Sequence, residues 1–240
     1  MNEVLSQMAA IQAHEHVLDA GCGYGGSSVW LARTLGCTVT GIALVPFQLE
    51  QAKRHAQRQG VAPQTTFSVQ DYTVTSFPSA AFDVVWALES VVHAQSKPTF
   101  LQEAYRLLKP DGRVIIAEYT LRDAPRLTPA EQHLIQPWLT GWAMPHLLTA
   151  TAYRALLTAV GFRQVMVDDI TPNVRPSLSR LGWLSLAVLP FVSCLWHSAK
   201  GLGMPHWFSP TRYGNVLGSI AQYRALKRKL WTYSLILGQK

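Results

Sequence analysis

A glycine-rich segment at residues 17–25 is the part of this sequence best suited to chemistry. It reads Val-Leu-Asp-Ala-Gly-Cys-Gly-Tyr-Gly, an apolar run that ends in an acid and continues into closely spaced glycines. Glycines permit positive φ angles and let a ligand approach the main chain, and a helix that follows them presents unpaired N–H groups. The segment therefore predicts a pocket for a nucleotide-type cofactor. Asp19 either accepts hydrogen bonds from that cofactor or braces the loop.

Three further positions fall where predicted strands end: Ala43, Asp71 and Glu89. Ligands of a parallel sheet bind beyond the carboxyl ends of its strands, so these positions and Asp19 should lie along one rim. Asp71 either accepts a hydrogen bond from the exocyclic amine of an adenine or only starts a turn. Ala43 occupies the position at which an acid would accept hydrogen bonds from the ribose hydroxyls of NAD. The absence of that acid argues against a standard NAD site.

Glu89 and His93 form the candidate catalytic pair. They are four residues apart and would face one another if this segment begins a helix. His93 can then act as general base toward a hydroxyl, phenol or amine, while Glu89 orients it or stabilises a developing cation. The alternative is that Glu89 only contacts the cofactor and His93 only packs. The sequence leaves both interpretations open.

The apolar pattern predicts alternating strands and helices that would position these residues. Strands are expected at 16–20, 37–42, 65–69, 81–88, 113–119, 162–169 and 230–238. Helices are expected at 2–13, 26–35, 46–59, 98–108, 128–140, 149–160 and 216–229, with a turn at 109–112 and a proline-rich break at Pro172 and Pro176. This order is typical of an α/β fold with a doubly wound, seven-stranded, mostly parallel sheet and a helical insertion before the last strand.

Charge divides the chain into regions. All 14 acids lie at or before Asp169, and residues 171–240 carry nine Lys and Arg but no acid. We therefore expect an α/β core at 1–170, a helical, basic and apolar insertion at 171–229 and the final strand of the sheet at 230–240. The basic region attracts anions such as phospholipid headgroups, unless it is only an ordinary basic surface.

The uncharged run at residues 181–196 is shorter than the ~20 residues that a spanning helix needs. A substrate lid, a homodimer contact, a peripheral membrane anchor and a buried helical hairpin all remain open for it. Three scattered cysteines, Cys22, Cys37 and Cys194, have neither a disulfide nor a metal spacing, and no signal peptide is evident at the start. We expect a cytoplasmic protein without a metal, peripheral to the membrane if the anchor forms.

Several motifs within about residues 10–120 resemble those of class I S-adenosylmethionine-dependent methyltransferases. They are the glycine segment, Gln-Asp-Tyr at 70–72 and Leu-Leu-Lys-Pro-Asp-Gly-Arg at 107–113. Within that superfamily, Gly-Ile-Ala-Leu-Val-Pro-Phe-Gln at 41–48 and Leu-Glu-Ser-Val-Val-His at 88–93 are more similar to the tocopherol, sterol and ubiquinone-type methyltransferases.

The resemblance implies that the cofactor is S-adenosylmethionine and that no metal is needed. Gln48 is the candidate substitute for the ribose-binding acid that is absent at Ala43. The residues implied to bind the cofactor are Asp19, Gly21, Cys22, Gly23, Tyr24, Ile42, Ala43, Gln48, Gln70, Asp71, Tyr72 and Leu88.

The resemblance also implies methyl transfer to a small, largely apolar acceptor, such as a prenylated quinol, an isoprenoid, a sterol-like compound or another secondary metabolite. Two alternatives remain open. One is a non-catalytic methyltransferase-like module that binds a membrane or a protein partner. The other, less well supported, is a nucleic-acid methyltransferase. No nucleic-acid partner is expected, because the basic residues form no dense stripe and no base-flipping motif occurs.

Overall fold

Strands and helices alternate along the chain, as the apolar pattern predicts. The computed structural model describes residues 1–124, 126–201 and 210–240. Its strands are β1 His16–Ala20, β2 Thr38–Ala43, β3 Thr65–Val69, β4 Phe82–Leu88, β5 Leu108–Leu121, β6 Arg163–Asp169 and β7 Trp231–Gln239. Its helices are α1 Asn2–Met8, α2 Gly26–Leu35, α3 Pro46–Arg58, α4 Lys97–Leu107, α5 Pro129–Gly141, α6 Ala150–Val160, α7 Thr171–Gly201 and α8 Pro210–Lys227, with 3-10 turns at Ala62–Gln64 and Val91–His93.

The strands of the described chain form one seven-stranded sheet in the order β3-β2-β1-β4-β5-β7-β6. β1 pairs in parallel with β2 and β4, β2 with β3, and β4 with β5. The order therefore reverses between β1 and β4, which creates the crevice where doubly wound sheets bind ligands. The predicted fold class is confirmed.

The central strands are apolar on both faces. Val17 and Leu18 of β1 and the run 84–87 of β4 are all at most 1% exposed. Strands buried on both sides are expected of a parallel sheet that helices cover. This rigid centre positions the loops that leave the carboxyl ends of β1 and β4.

Three local expectations were wrong. The helix expected at 2–13 ends at Met8, because Ala10 has a φ of 47° and turns the chain. The turn expected at 109–112 lies within β5, where the pairing with β4 shifts register and Asp111 has a φ of 61°. A β-bulge accommodates the extra residues without ending the strand. The break expected at Pro172 and Pro176 is also absent, because α7 runs across both prolines. Pro172 lies in the first turn, where the missing N–H has no intrahelical partner to lose, and Pro176 gives up one bond of a long helix.

The described residues divide into two compact units. Unit 1 comprises 1–118, 150–168 and 234–240, and unit 2 comprises 119–149 and 169–233. The functional division at 170/171 and 229/230 stays a prediction. Within unit 2, the ring of Tyr119 lies 5.2 Å from that of Trp138, 5.4 Å from that of Trp231 and 5.1 Å from that of Tyr233, all close to perpendicular. Within the described residues, no helix has the length and apolarity to cross a membrane.

Candidate active site

The glycine loop leaves β1 at Ala20 and turns through three glycines with positive φ. Gly21, Gly23 and Gly25 have φ angles of +94°, +53° and +76°. The N–H groups of Gly21 and Cys22 both donate to the carbonyl oxygen of Ile42 at 2.9 Å, which fastens the loop to the end of β2. Burial raises the pKa of the Cys22 thiol, so this side chain is a neutral packing group.

Two of these glycines serve different purposes. A Cβ on Gly21 would lie less than 3.0 Å from the side chain of Ser90, so only glycine allows this approach between the loop and the segment after β4. A Cβ on Gly23 would meet nothing within 4 Å. The backbone at Gly23 is therefore open to a ligand, and the loop fits a nucleoside cofactor.

Asp19 braces the loop from beneath. Its carboxyl is only 2% exposed, and Oδ2 accepts a 2.6 Å hydrogen bond from the hydroxyl of Ser28. The backbone N–H of Ser28, in the first turn of α2, also donates to it. Burial raises the pKa of Asp19 to about 6, against these hydrogen bonds. The structure thus shows the bracing contact, and a direct contact between Asp19 and a cofactor stays a prediction.

The strand ends lie on one rim, as predicted. Ala20 is opposite Ile42 in the pairing of β1 with β2, and Ala43 is opposite Val69 in the pairing of β2 with β3. Beyond β3, the N–H of Gln70 donates to the carbonyl of Ala43 at 3.3 Å. Leu88, which ends β4, is half-buried at the same edge.

Apolar side chains stand exposed around the position of the missing acid. Ala43 is buried, whereas Leu44, Val45 and Phe47 are 64%, 47% and 62% exposed. Tyr24 of the glycine loop is 56% exposed and lines an open groove together with Phe47, Gln51, His55 and Arg58. Gln48 is half-buried at the start of α3. Large apolar groups left open to water at a rim are typical of a ligand site.

Asp71 forms a turn after β3. Its Oδ1 accepts from the N–H of Thr73 at 2.8 Å and from the Thr73 hydroxyl at 2.7 Å, and the residue is exposed. Gln70 accepts from the N–H of Ser76 at 2.7 Å, and the Tyr72 hydroxyl donates to the carbonyl of Ser90 at 2.9 Å. Asp71 therefore does start a turn, and its contact with adenine stays a prediction.

Glu89 and His93 are both exposed at the end of β4, but the segment that joins them is not α-helical. Glu89 has a φ of 52° and donates its N–H to the carbonyl of Ala117, while His93 ends the 3-10 turn Val91–His93. A left-handed residue ahead of a single tight turn does not give the helical spacing that the proposed pairing assumed. The structure places both residues at the rim but contains no α-helix there, and the pairing of their side chains stays a prediction.

Sequence reasoning missed two buried charges behind this turn. Lys97 is 1% exposed and its Nζ donates to the carbonyls of Val92 at 3.1 Å and Ala94 at 2.9 Å. Glu118 is fully buried, and its Oε2 accepts from the N–H of Val92 at 2.5 Å. Burial lowers the pKa of Lys97 to about 8, and the charge of Glu118 opposes that shift.

The sequence does contain a signal for each of them. A lysine in the first turn of a helix is unfavourable beside the positive end of the helix dipole, and an acid at the end of the apolar strand run 114–119 is expensive to bury. Both therefore need a specific partner.

The fold and the site define a doubly wound α/β protein with a glycine-rich loop at its switch point. Comparison with known proteins narrows this class. A family model described as "Methyltransferase domain" matches residues 18–116. A 2-methyl-6-phytyl-1,4-hydroquinone methyltransferase of Synechocystis sp. is 33% identical, over 73% of this chain and 58% of that protein. Tocopherol O-methyltransferase of Arabidopsis thaliana is 33% identical, over 67% of this chain and 47% of its own.

Solved structures agree on the fold. A putative sarcosine dimethylglycine methyltransferase from Galdieria sulphuraria superposes with a TM-score of 0.79 at 20% identity, covering 100% of this chain and 84% of that one. The chain contains a methyltransferase domain and has the α/β fold of class I methyltransferases, and its sequence is similar to those of tocopherol, phytylquinol and sterol methyltransferases. It spans about half the length of the curated relatives that it matches.

Proposed function

We propose that this protein transfers a methyl group from S-adenosylmethionine to a small, largely apolar acceptor, such as a prenylated quinol, an isoprenoid, a sterol-like compound or another secondary metabolite. The observation that carries the proposal is the loop Gly21–Gly25, whose positive-φ backbone is open at Gly23 on the switch-point rim. The similarity to a phytylquinol and a tocopherol methyltransferase supports the acceptor class.

The cofactor, when bound, supplies a methyl group already activated on a sulfonium. The protein therefore has to hold that group in line with the acceptor and exclude water. The glycine loop, which follows Asp19, offers the backbone groups of Gly21, Cys22 and Gly23 and the exposed ring of Tyr24. We assign the binding of the cofactor's ribose to Ile42, Ala43 and Gln48. We assign the binding of its adenine to Gln70, Asp71, Tyr72 and Leu88.

His93 and Glu89 are the groups proposed to act on the acceptor. Both are exposed at the end of β4. His93 accepts the proton that a hydroxyl, phenol or amine loses, and Glu89 stabilises a positive charge if an alkene is methylated. For a hydroxyl, phenol or amine acceptor, Glu89 instead orients the His93 ring.

Calorimetry with S-adenosylhomocysteine tests the cofactor site. We expect binding that Asp71→Ala weakens about tenfold, because one carboxylate hydrogen bond to a bound ligand is lost. Glu50→Ala, an exposed acid on α3, is the matched control and should bind as the wild type does. Incorporation of labelled methyl groups into prenylated quinols, isoprenoids and sterols tests the reaction. Folded protein that binds no S-adenosylhomocysteine would contradict the proposal.

The binding-module alternative is favoured by one observation, an exposed apolar stripe on α7. Leu184 is 62% exposed and Phe191 67%, and Leu181 and Val188 complete the same helical face. Trp183, 61% exposed, has the Nζ of Lys227 at 5.7 Å from its ring centre. Apolar and aromatic side chains beside cations, in a region without acids, suit an anionic membrane surface. We propose peripheral membrane contact here, in addition to catalysis.

Sedimentation with vesicles tests this contact. The double variant Leu184→Glu/Phe191→Glu should lose binding to vesicles that contain anionic lipid, while Val74→Glu, at a 72% exposed position of unit 1, should not. Binding that is equal in wild type and double variant would contradict the membrane contact. A concentration-dependent dimer that the double variant abolishes would assign the stripe to a homodimer instead. Membrane binding with no methyl transfer to any acceptor would favour the non-catalytic module.

A further inference from the structure

The 3-10 turn Val91–His93 is held by more than its own hydrogen bonds. Inside the segment, the N–H of His93 donates to Ser90 and that of Ala94 donates to Val91. A single 3-10 turn has poor hydrogen-bond geometry and does not keep its shape unaided. His93 ends this turn and its side chain is exposed, so the backbone of the turn sets the position from which the side chain extends.

Both backbone groups of Val92, in the middle of this turn, are hydrogen-bonded to buried charged side chains. Oε2 of Glu118 accepts from the N–H of Val92, and Nζ of Lys97 donates to the carbonyl of Val92. The same Nζ also donates to the carbonyl of Ala94. Lys97 begins α4 and Glu118 lies on β5, so two separate elements of unit 1 meet at Val92.

Burying these two charged side chains in the core costs desolvation free energy. Removing an ammonium or a carboxylate from water is costly, and apolar residues of similar volume often serve stability as well or better. Here each charged group forms at least one hydrogen bond with the backbone of the turn, which fixes the geometry of that segment. Hydrogen bonds of charged groups are shorter and stronger than neutral ones, which suits them to hold a short irregular segment.

The same segment is tied to the cofactor loop. The Ser90 hydroxyl donates to the carbonyl of Ala20 at 2.5 Å, and the Tyr72 hydroxyl donates to the carbonyl of Ser90. Gly21 packs against Ser90 so closely that it has no room for a Cβ. The turn that carries His93 is therefore connected to both the glycine loop and the adenine-side segment.

We propose that Lys97 and Glu118 are positioning residues of the methyl-transfer site: by fixing the backbone around Val92 they hold His93 at the cofactor rim. The inference rests on the proposed function, because it assumes that His93 acts on the acceptor. Both residues are buried behind the turn, so their loss should change the rate of the chemical step and the order of the turn, not the affinity for the cofactor.

Three variants of the full chain test this proposal: Lys97→Met, Glu118→Gln and the two combined. Lys109→Met is the matched control, since Lys109 forms a half-exposed ion pair with Asp83 at the other end of β4. Amide hydrogen exchange is measured on a peptide that covers residues 90–95 and on one that covers the glycine loop. Affinity for S-adenosylhomocysteine is measured by calorimetry, and kcat and KM with whichever acceptor is methylated.

In Lys97→Met we expect exchange in 90–95 to rise tenfold or more, kcat to fall at least tenfold, and the Kd for S-adenosylhomocysteine, the acceptor KM and glycine-loop exchange to stay within about threefold. Glu118→Gln keeps an oxygen that can accept from Val92 and should show a smaller change in both exchange and kcat. The combined variant should lose less than the two single losses together, because no uncompensated buried charge remains.

The outcomes separate the two proposals. If the wild type binds no S-adenosylhomocysteine, the proposed function fails. If the wild type binds it but Lys97→Met exchanges in 90–95 like Lys109→Met, or keeps its kcat, the positioning role fails. Should Lys97→Met not fold, Glu118→Gln decides: exchange and kcat equal to those of the wild type overturn the role. If no acceptor is methylated, the positioning role is decided by hydrogen exchange alone: equal exchange of residues 90–95 in Lys97→Met and Lys109→Met overturns it.

Discussion

The buried carboxylate of Asp19 accepts a 2.6 Å hydrogen bond from the hydroxyl of Ser28, and this contact joins the end of β1 to the first turn of α2. A negative group is favoured there, because the first turn of a helix presents unpaired N–H groups and the positive end of the dipole. Burial works in the opposite direction and raises the pKa of Asp19 to about 6.

The raised pKa predicts how stability depends on pH. The folded chain holds the Asp19 proton more tightly than the unfolded chain, whose value is near 3.8. The resulting stabilisation is complete below that value and is lost as the pH rises through about 6. Relative to Asp19→Asn, the wild type should lose up to about 3 kcal/mol of unfolding free energy between about pH 4 and about pH 7. Urea denaturation across this range measures the difference.

Asp83→Asn provides a control of opposite sign. Burial alone would raise the pKa of Asp83, but hydrogen bonds from Lys109 and from the N–H of His16 outweigh it and lower that pKa. Its contribution to stability is therefore present above the ordinary value and is lost as the pH falls. A pH-independent difference between the wild type and Asp19→Asn would contradict the prediction.

Gly21→Ala and Gly23→Ala should separate packing from ligand access. Both positions have positive φ, but only a Cβ on Gly21 collides with Ser90. Gly23→Ala should cost about 1 kcal/mol of stability from backbone strain, and Gly21→Ala about 3 kcal/mol or more. Gly23→Ala should nevertheless weaken S-adenosylhomocysteine about tenfold, because its methyl group occupies the open approach to the loop. Urea denaturation and calorimetry measure the two effects, and equal stability losses would contradict the assignment.

His93→Ala should lower kcat about 100-fold if His93 accepts the proton of the acceptor. The Kd for S-adenosylhomocysteine should stay within about threefold, because His93 is assigned no contact with the cofactor. His14→Ala, at an exposed position before β1, is the control with the same change of side chain. Steady-state kinetics with the identified acceptor measures the effect. Unchanged turnover in both His93→Ala and Glu89→Ala would remove the catalytic role of this pair.

Trp138→Ala should destabilise the protein by about 3 to 5 kcal/mol, the usual cost of emptying a buried aromatic site. Trp138 is fully buried and packs edge to face against Tyr119. Trp183→Ala deletes the same side chain from a position that is 61% exposed and should cost less than about 1 kcal/mol. Thermal or urea denaturation compares the two. Similar losses would show that the aromatic cluster of unit 2 does not contribute as its packing indicates.

Local signals predicted most of the fold. The period-2 and helical patterns located all seven strands, because each element buries a continuous apolar face that is visible in neighbouring residues. They failed at Asp111 and Pro172, where a bulge and a first-turn proline resemble the end of an element. The same locality explains why the α-helix expected from Glu89 to His93 does not form: Glu89 has a left-handed backbone conformation that redirects the chain, and its N–H is held by the carbonyl of Ala117.

The sequence by itself determined the parallel sheet, its rim and the glycine loop, because these follow from short-range periodicity and from the freedom that glycine alone provides. Only the tertiary structure decided that Asp19 accepts a hydrogen bond from Ser28 and that Lys97 and Glu118 are hydrogen-bonded to the backbone of Val92. Those contacts join residues from separate elements, and burial of a charge depends on what the rest of the chain packs around it. A lysine and a glutamate 21 residues apart look like surface charges until the fold removes them from water.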